Sequence, residues 1–315
     1  MPDDVPPEMA AAVNAASTSL LRLEAVNGID IGLDEAGDFT IRVLVSDPDN
    51  PPLDLPESVG GFPFILVKGR PTLEQASIPD GRTLGVPGRP PIIGGIQIAI
   101  DGVGDVTAGT LGCVFRNSDG KLVAVSNAHV MCESDTNIIN QAAGSRRLGT
   151  VQKCFAPDTP SFPPGGAVSG FFDAAICSID DGRPSTVGEI ADIGTATAIS
   201  SPRIGDIVRK RGFMTGLSHG VVDGILGAYD VFDDQGNLKW WMLGQVSIRM
   251  IPDLGQNPLG VWSRGGDSGS VVVNNSNEIV ALHWGGNRLP GDPEDGHRGY
   301  ATDFATVAIA LGISL

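Results

Sequence analysis

From residue 92 onward the chain is a succession of short apolar stretches: IQIAI, TLGCVF, LVAVSNA, FFDAAICSI, IVRKRG, VVDGIL, WWMLGQVSI, SVVVNN and EIVALHW. Gly-, Asp- and Asn-rich turns separate them. Runs this short suit strands and are too brief for core helices. Helical periodicity is nearly absent until ATDFATVAIALGISL closes the chain. So many short strands predict a mainly β sandwich or barrel. Composition agrees, with 43 Gly and 23 Pro against 5% aromatics. Apolar residues make up 41%, enough for a real core. No internal repeat stands out.

The first part of the chain reads differently. Residues 7 to about 25 place Met9, Val13, Ala16 and Leu20 at roughly helical spacing. Ile29, Ile31 and Leu33, then Phe39, Ile41, Val43 and Val45, alternate at period two across the turn DEAGD, the pattern of a hairpin. FPFILVKG reads as a third strand, followed by a short helix near TLEQA. Residues 1–80 are therefore expected to form a small N-terminal α+β domain. Residues 81–91, Gly- and Pro-rich, are expected to form a linker, and 92–315 the β domain.

The formal net charge is −16, which repels phosphate backbones and anionic lipid surfaces. Nucleic acid and membrane are not expected as partners. The start, MPDDVPPEMAAAVNAAS, lacks the basic and apolar segments of a secretory signal, and no apolar run reaches membrane-spanning length. A cytoplasmic location is the expectation. Cys113, Cys132, Cys154 and Cys177 lack metal-ligand spacing and read as four buried, reduced thiols. Neither a metal nor an organic cofactor is expected.

The sharpest chemical signal is RGGDSGSVVV, residues 264–273. Ser268 sits between glycines in a tight turn entering a strand. The N–H groups of Gly266 and Ser268 could converge there as an oxyanion hole for charge that develops in a transition state. A serine hydroxyl needs a base. His129, in LVAVSNAHVM, stands where an alternating strand ends in a polar turn. His219 and His297 lie in Gly-rich turns, and His283 lies inside the strand IVALHWGG. Surface or packing roles suit these three better. The base needs an orienting carboxylate. Asp173 is flanked by Phe171, Phe172, Ala174, Ala175 and Ile176, a setting that is costly for an acid without a partner. An Asp accepting a histidine N–H would hold the tautomer that leaves the other ring nitrogen basic.

SNAHV, FFDAAI and GGDSGS, in the order His, Asp, Ser, resemble the three catalytic blocks of chymotrypsin-like serine proteases. LHWGG at 282–286 resembles the strand that pairs with substrate backbone, with His283 where Ser is usual. GYATDFATVAIAL resembles that family's last strand and C-terminal helix. The resemblance implies two six-stranded β-barrels with His129, Asp173 and Ser268 in the cleft between them. It also implies substrate contacts from Trp262, His283, Trp284 and Gly285, with Trp262 at the base of the primary pocket. An apolar base favours a small or apolar residue there. A looser likeness, through GTLGCVF, DAAI and VRKRGFMTG and the N-terminal strands, is to bacterial trypsin-like peptidases related to the plant narrow-leaf proteins.

Within that likeness, Ile92-Ile93-Gly94-Gly95 looks like the N-terminus that trypsin-type zymogens expose on cleavage, where it pairs with the Asp before the nucleophile, here Asp267. Pro90 and Pro91 make the preceding bonds poor sites for a tryptic activator. The expectation is that IIGG starts the first barrel strand uncut and that internal donors, with Arg264 and Arg298 as candidates, satisfy Asp267. The leading function is a serine endopeptidase acting on protein or peptide substrates. It is expected to be a regulated intracellular processing enzyme, with a partner recruited through the N-terminal domain. The alternative is a non-catalytic or latent interaction module on the same fold. An α/β-hydrolase esterase is set aside, because GDSGS lacks the GxSxG elbow and the chain order is reversed.

Overall fold

The computed structural model describes residues 5–73, 76–77, 91–101, 107–132, 136–141, 146–156, 172–233, 235–254, 257, 259–288 and 295–315. Helix α1 (Pro7–Leu20) carries Pro at its first position, where a missing N–H costs nothing, and buries Met9, Ala10, Val13 and Leu20. Strands β1 (Val26–Leu33) and β2 (Phe39–Val45) pair antiparallel, and β3 (Phe64–Lys68) runs parallel to β2. The Asp34 carboxylate accepts the N–H groups of Ala36 and Asp38 and closes the hairpin turn. Two short strands follow, β4 (Pro71–Leu73) and β5 (Ala76–Ser77). The expected helix near TLEQA is therefore replaced by extended chain on either side of residues 74 and 75, which lie outside the described residues. Of the expected linker 81–91, only Pro91 is described.

The next strands are β6 (Ile92–Gly94), β7 (Gln97–Ile100), β8 (Thr107–Thr110), β9 (Cys113–Asn117) and β10 (Leu122–Ser126). The short helix α2 (Ala128–Met131) comes next, then β11 (Ile138–Gln141), β12 (Arg146–Phe155) and β13 (Ala174–Ser178). A connector carries β14 (Ser185–Ile190), β15 (Gly194–Thr195) and β16 (Ala198–Ile199). It leads to β17 (Ile207–Gly212), the long hairpin β18 (Gly216–Phe232) and β19 (Leu238–Met250), β20 (Val271–Asn274), β21 (Glu278–Asn287) and β22 (Arg298–Asp303). The chain ends with α3 (Phe304–Leu311) and β23 (Ile313–Ser314). Asp303 caps α3 by accepting the Ala305 N–H at 2.8 Å.

These strands form two large curled sheets. The first runs β23-β9-β10-β13-β12-β11-β7-β8-β5, and its core holds Ile98, Leu111, Val114, Val130 and Leu148. The second runs β17-β20-β21-β22-β19-β18 and continues without a break into β1-β2-β3. The N-terminal strands thus extend the second barrel's own sheet through β1 and β18. A buried ionic cluster crosses that seam. Arg42 pairs with Asp30 at 2.7 Å and Asp223 at 3.2 Å, Arg298 pairs with Asp223 at 2.7 Å, and the Tyr229 hydroxyl donates to Asp30 at 2.6 Å. Helix α3 packs Phe304, Val307 and Leu311 against residues of both sheets.

Two expectations are corrected here. IIGG does not begin the first barrel sheet. Strand β6 pairs parallel with β14 in a separate three-stranded sheet, and the Ile92 N–H donates to the Pro184 carbonyl at 2.7 Å. Nor are all four cysteines reduced. Cys132, at the end of α2, is bonded to Cys154 on β12, because α2 lies against that strand. Cys113 and Cys177 remain free and buried, and burial pushes both thiols up to about 12.

Candidate active site

The turn that carries Ser268 is built from residues that tolerate tight backbone. Gly266 and Gly269 have φ of 102° and 94°, a region that L side chains rarely enter. A Cβ at Gly266 would lie 2.5 Å from the Phe213 ring, and one at Gly269 would lie 2.0 Å from the Ser126 hydroxyl. The turn is tied to both sheets. The Gly269 N–H donates to the His283 carbonyl, and the His283 N–H donates back to Ser270, each at 2.9 Å. From the first sheet, the Thr110 N–H donates to the Ser268 carbonyl at 2.8 Å, and its hydroxyl donates to the Gly266 carbonyl at 2.9 Å. Ser268 therefore sits where β8 of one barrel meets β21 of the other.

His129 enters from the first barrel. Strand β10 ends at Ser126, Asn127 donates its side-chain amide to the Asp173 carbonyl at 2.7 Å, and α2 begins. Asp173 immediately precedes β13, the neighbour of β10, so pairing of those two strands brings imidazole and carboxylate together. One Asp173 oxygen accepts the His129 backbone N–H at 2.9 Å, and the other is in short contact with Nδ1 of the ring. Both side chains are buried. The Trp240 ring packs on the imidazole with centroids 6.5 Å apart. An Asp–imidazole contact at Nδ1 assigns the proton to that nitrogen and leaves Nε2 as the basic one. The Ser268 hydroxyl is fully buried and donates to the Trp284 carbonyl at 2.8 Å.

The other expected residues are distributed as follows. Trp262 is buried, with its ring edge-on to His283 at 6.2 Å, and it backs Gly220 and Gly299. His283 is likewise buried, and its backbone holds the Ser268 turn. The Trp284 side chain turns into the core, stacked on Tyr300 and donating to Gln245 at 2.8 Å. Gly285 lies on the paired face of β21 opposite Leu73.

Asp267 has a partner the sequence reading did not name. The Lys210 ammonium lies 2.8 Å from its carboxylate, and both side chains are fully buried. The Thr215 hydroxyl donates at 2.6 Å, and the Met214 and Thr215 N–H groups donate at 3.1 Å. Burial pushes this carboxyl up, but the Lys210 charge and the Lys210 and Thr215 hydrogen bonds outweigh it and hold Asp267 below its usual range. Arg264 contributes only a backbone N–H, at 3.2 Å, while its side chain pairs with Asp295. Arg298 is committed to Asp223. The signal for Lys210 was present in IVRKRG. Alternation sends Arg209 and Lys210 to opposite faces of β17, and the Lys210 face is the buried one.

The sequence matches no protein-family model and no curated protein sequence. Solved structures do resemble the fold. A glutamic-acid-specific serine protease, described as using a histidine triad in substrate binding, is 18% identical with a TM-score of 0.50. The match covers 71% of this chain and 100% of that one. A Nocardiopsis protease is also 18% identical with a TM-score of 0.50, covering 71% of this chain and 98% of its own. Together with the two curled sheets and the C-terminal helix, these likenesses define a chymotrypsin-like serine-protease fold.

Proposed function

We propose that this chain is a serine endopeptidase acting on protein or peptide substrates, with Ser268 as nucleophile, His129 as general base and then acid, and Asp173 as the group that orients His129. The observation that carries the reading is the buried Asp173–His129 pair, held at Nδ1 and at the backbone N–H. In this scheme Nε2 takes the Ser268 proton as Oγ attacks the scissile carbonyl. The Gly266 and Ser268 N–H groups receive the oxyanion. His129 then returns the proton to the leaving amine, and water hydrolyses the acyl-enzyme. Trp262 forms the base of an apolar primary pocket. Residues 92–315 form the hydrolytic unit, and residues 1–80 gate it or recruit its target, as in a regulated processing enzyme. Substrate backbone pairs with β21 around Gly285.

A latent state is a second reading. It is favoured by one observation, the Ser268 hydroxyl donating to Trp284. The test is prolonged labelling of the full chain with a fluorophosphonate, read by intact mass. One adduct, absent in Ser268→Ala, is expected. No adduct on either the parent or the Leu73→Ala variant described below overturns the endopeptidase reading.

A further inference from the structure

Strand edges next to the site described above are occupied by the protein's own chain. Strand β4 lies antiparallel along the end of β21, with Leu73 opposite Gly285, Thr72 opposite Gly286 and Pro71 opposite Asn287. Three residues further on, β5 lies antiparallel to β8, with Ala76 opposite Ala108 and Ser77 opposite Thr107. These are the two strands that flank the nucleophile. The Trp284 carbonyl of β21 accepts the Ser268 hydroxyl, and Thr110 of β8 donates to the Ser268 carbonyl. β4 and β5 therefore add one short strand to each barrel's sheet, the way extended peptides dock by β-strand addition.

The contact is close and specific. A Cβ at Gly285 would lie 2.5 Å from the Thr72 carbonyl, so only glycine permits this approach. Leu73 is buried in a cluster with Tyr229, Met242, Trp284 and Tyr300. Upstream, the Arg70 N–H donates to the Asn287 side chain at 2.6 Å, and its guanidinium lies over the Phe232 ring at 4.5 Å. Thr72 is also bridged to Phe232 at the end of β18, so the segment is gripped from both sides.

We propose that β4 (Pro71–Leu73) and β5 (Ala76–Ser77) act as an internal peptide ligand of the cleft, which holds the enzyme latent until these strands are peeled away. The inference rests on the endopeptidase reading for what is blocked, and on backbone pairing for the block itself. It also defines a substrate class. Peptides that replace the segment bind extended across β21 and β8, with a leucine-sized aliphatic side chain in the aromatic cluster that now holds Leu73.

The test compares fluorophosphonate labelling rates of the full-length parent, Leu73→Ala, Arg70→Ala and the conservative Leu73→Met, with near-UV circular dichroism as the check on folding. Leu73→Ala and Arg70→Ala, at opposite ends of the grip, are expected to label at least tenfold faster than the parent, and Leu73→Met close to it. Equal rates in all four folded proteins overturn the inference and leave the endopeptidase reading standing. A second readout does not need catalysis. In a Ser268→Ala background, a fluorescent peptide with the sequence of residues 70–77 is expected to bind Leu73→Ala and not the parent. Binding without labelling keeps the internal ligand and removes the endopeptidase. Absence of binding, with the variant folded, removes the internal ligand.

Discussion

Replacing Lys210 with Met keeps an unbranched stem of similar size and removes the ammonium that bonds Asp267 and Thr215 and lies over the Trp262 ring. The Nζ is 2.8 Å from Asp267 and 5.3 Å from the Trp262 centroid, and neither partner of the ion pair touches water. Removing one member of a buried pair costs about 3–5 kcal/mol, because the other is left charged and unpaired. Asp267 keeps the Thr215 hydroxyl and two backbone N–H groups, so the low end, about 3 kcal/mol, is expected. The sign with pH follows from the depressed Asp267 carboxyl. In the parent, its contribution is present above the unfolded value of about 3.9 and is lost as pH falls through the still lower folded value. Without Lys210, burial dominates, and the carboxyl takes up a proton more readily. The gap between parent and Lys210→Met is therefore widest at neutral pH and narrows toward pH 5. Urea unfolding at pH 8 and pH 5 measures it, alongside Asp267→Asn and the double variant. The double variant should lose less than the two single losses added together. A loss under about 1 kcal/mol, a gap independent of pH, or additive losses would refute the reasoning.

Three further outcomes are expected. Burial pushes the Asp230 carboxyl on β18 up to about 7, against a smaller opposing hydrogen bond from Trp241. Its folded value lies above its unfolded one, so stability from this group is full below about pH 4 and is lost as pH rises through 7. Asp230→Asn should then stabilise by up to roughly 4 kcal/mol above pH 7 and by almost nothing at pH 4, as read by urea midpoints. Reducing the Cys132–Cys154 bond, which spans 22 residues, should lower stability by about 3 kcal/mol, and Cys132→Ser should reproduce the loss without reductant. Asp173→Asn should slow hydrolysis of a peptide ester on the order of 10⁴-fold by favouring the wrong tautomer of His129, while near-UV circular dichroism stays unchanged.

Much of the architecture was readable because the apolar runs obey period two. The hairpin of Ile29–Leu33 with Phe39–Val45 and the terminal helix after Asp303 follow from local pattern and a cap. The meeting of His129 and Asp173 was readable for a different reason. An Asp amid Phe172, Ala174 and Ala175 needs a buried donor, and His129 ends a neighbouring strand. What stayed hidden was pairing between distant segments. Nothing local in PTLEQAS says that Thr72 pairs with Gly286, so the stretch read as a helix. Nor does the spacing of Cys132 and Cys154 reveal that α2 lies on β12.

The same distinction explains the fate of IIGG. Its likeness to an activation terminus is a property of four residues, whereas the cation that pairs with Asp267 is set by the fold. In this fold, burial of β17 between β18 and β20 carries Lys210 to that carboxylate. Ile92, meanwhile, is held elsewhere, with its N–H on Pro184 and its side chain in the first-sheet core. A cation built into a strand needs no chain cleavage to form the pair. The strand at Pro71–Leu73 lies along β21 next to Trp284, the residue whose carbonyl accepts the Ser268 hydroxyl. On the latent reading proposed above, freeing it means breaking main-chain pairs and withdrawing one leucine from an aromatic cluster, a change that needs no proteolysis.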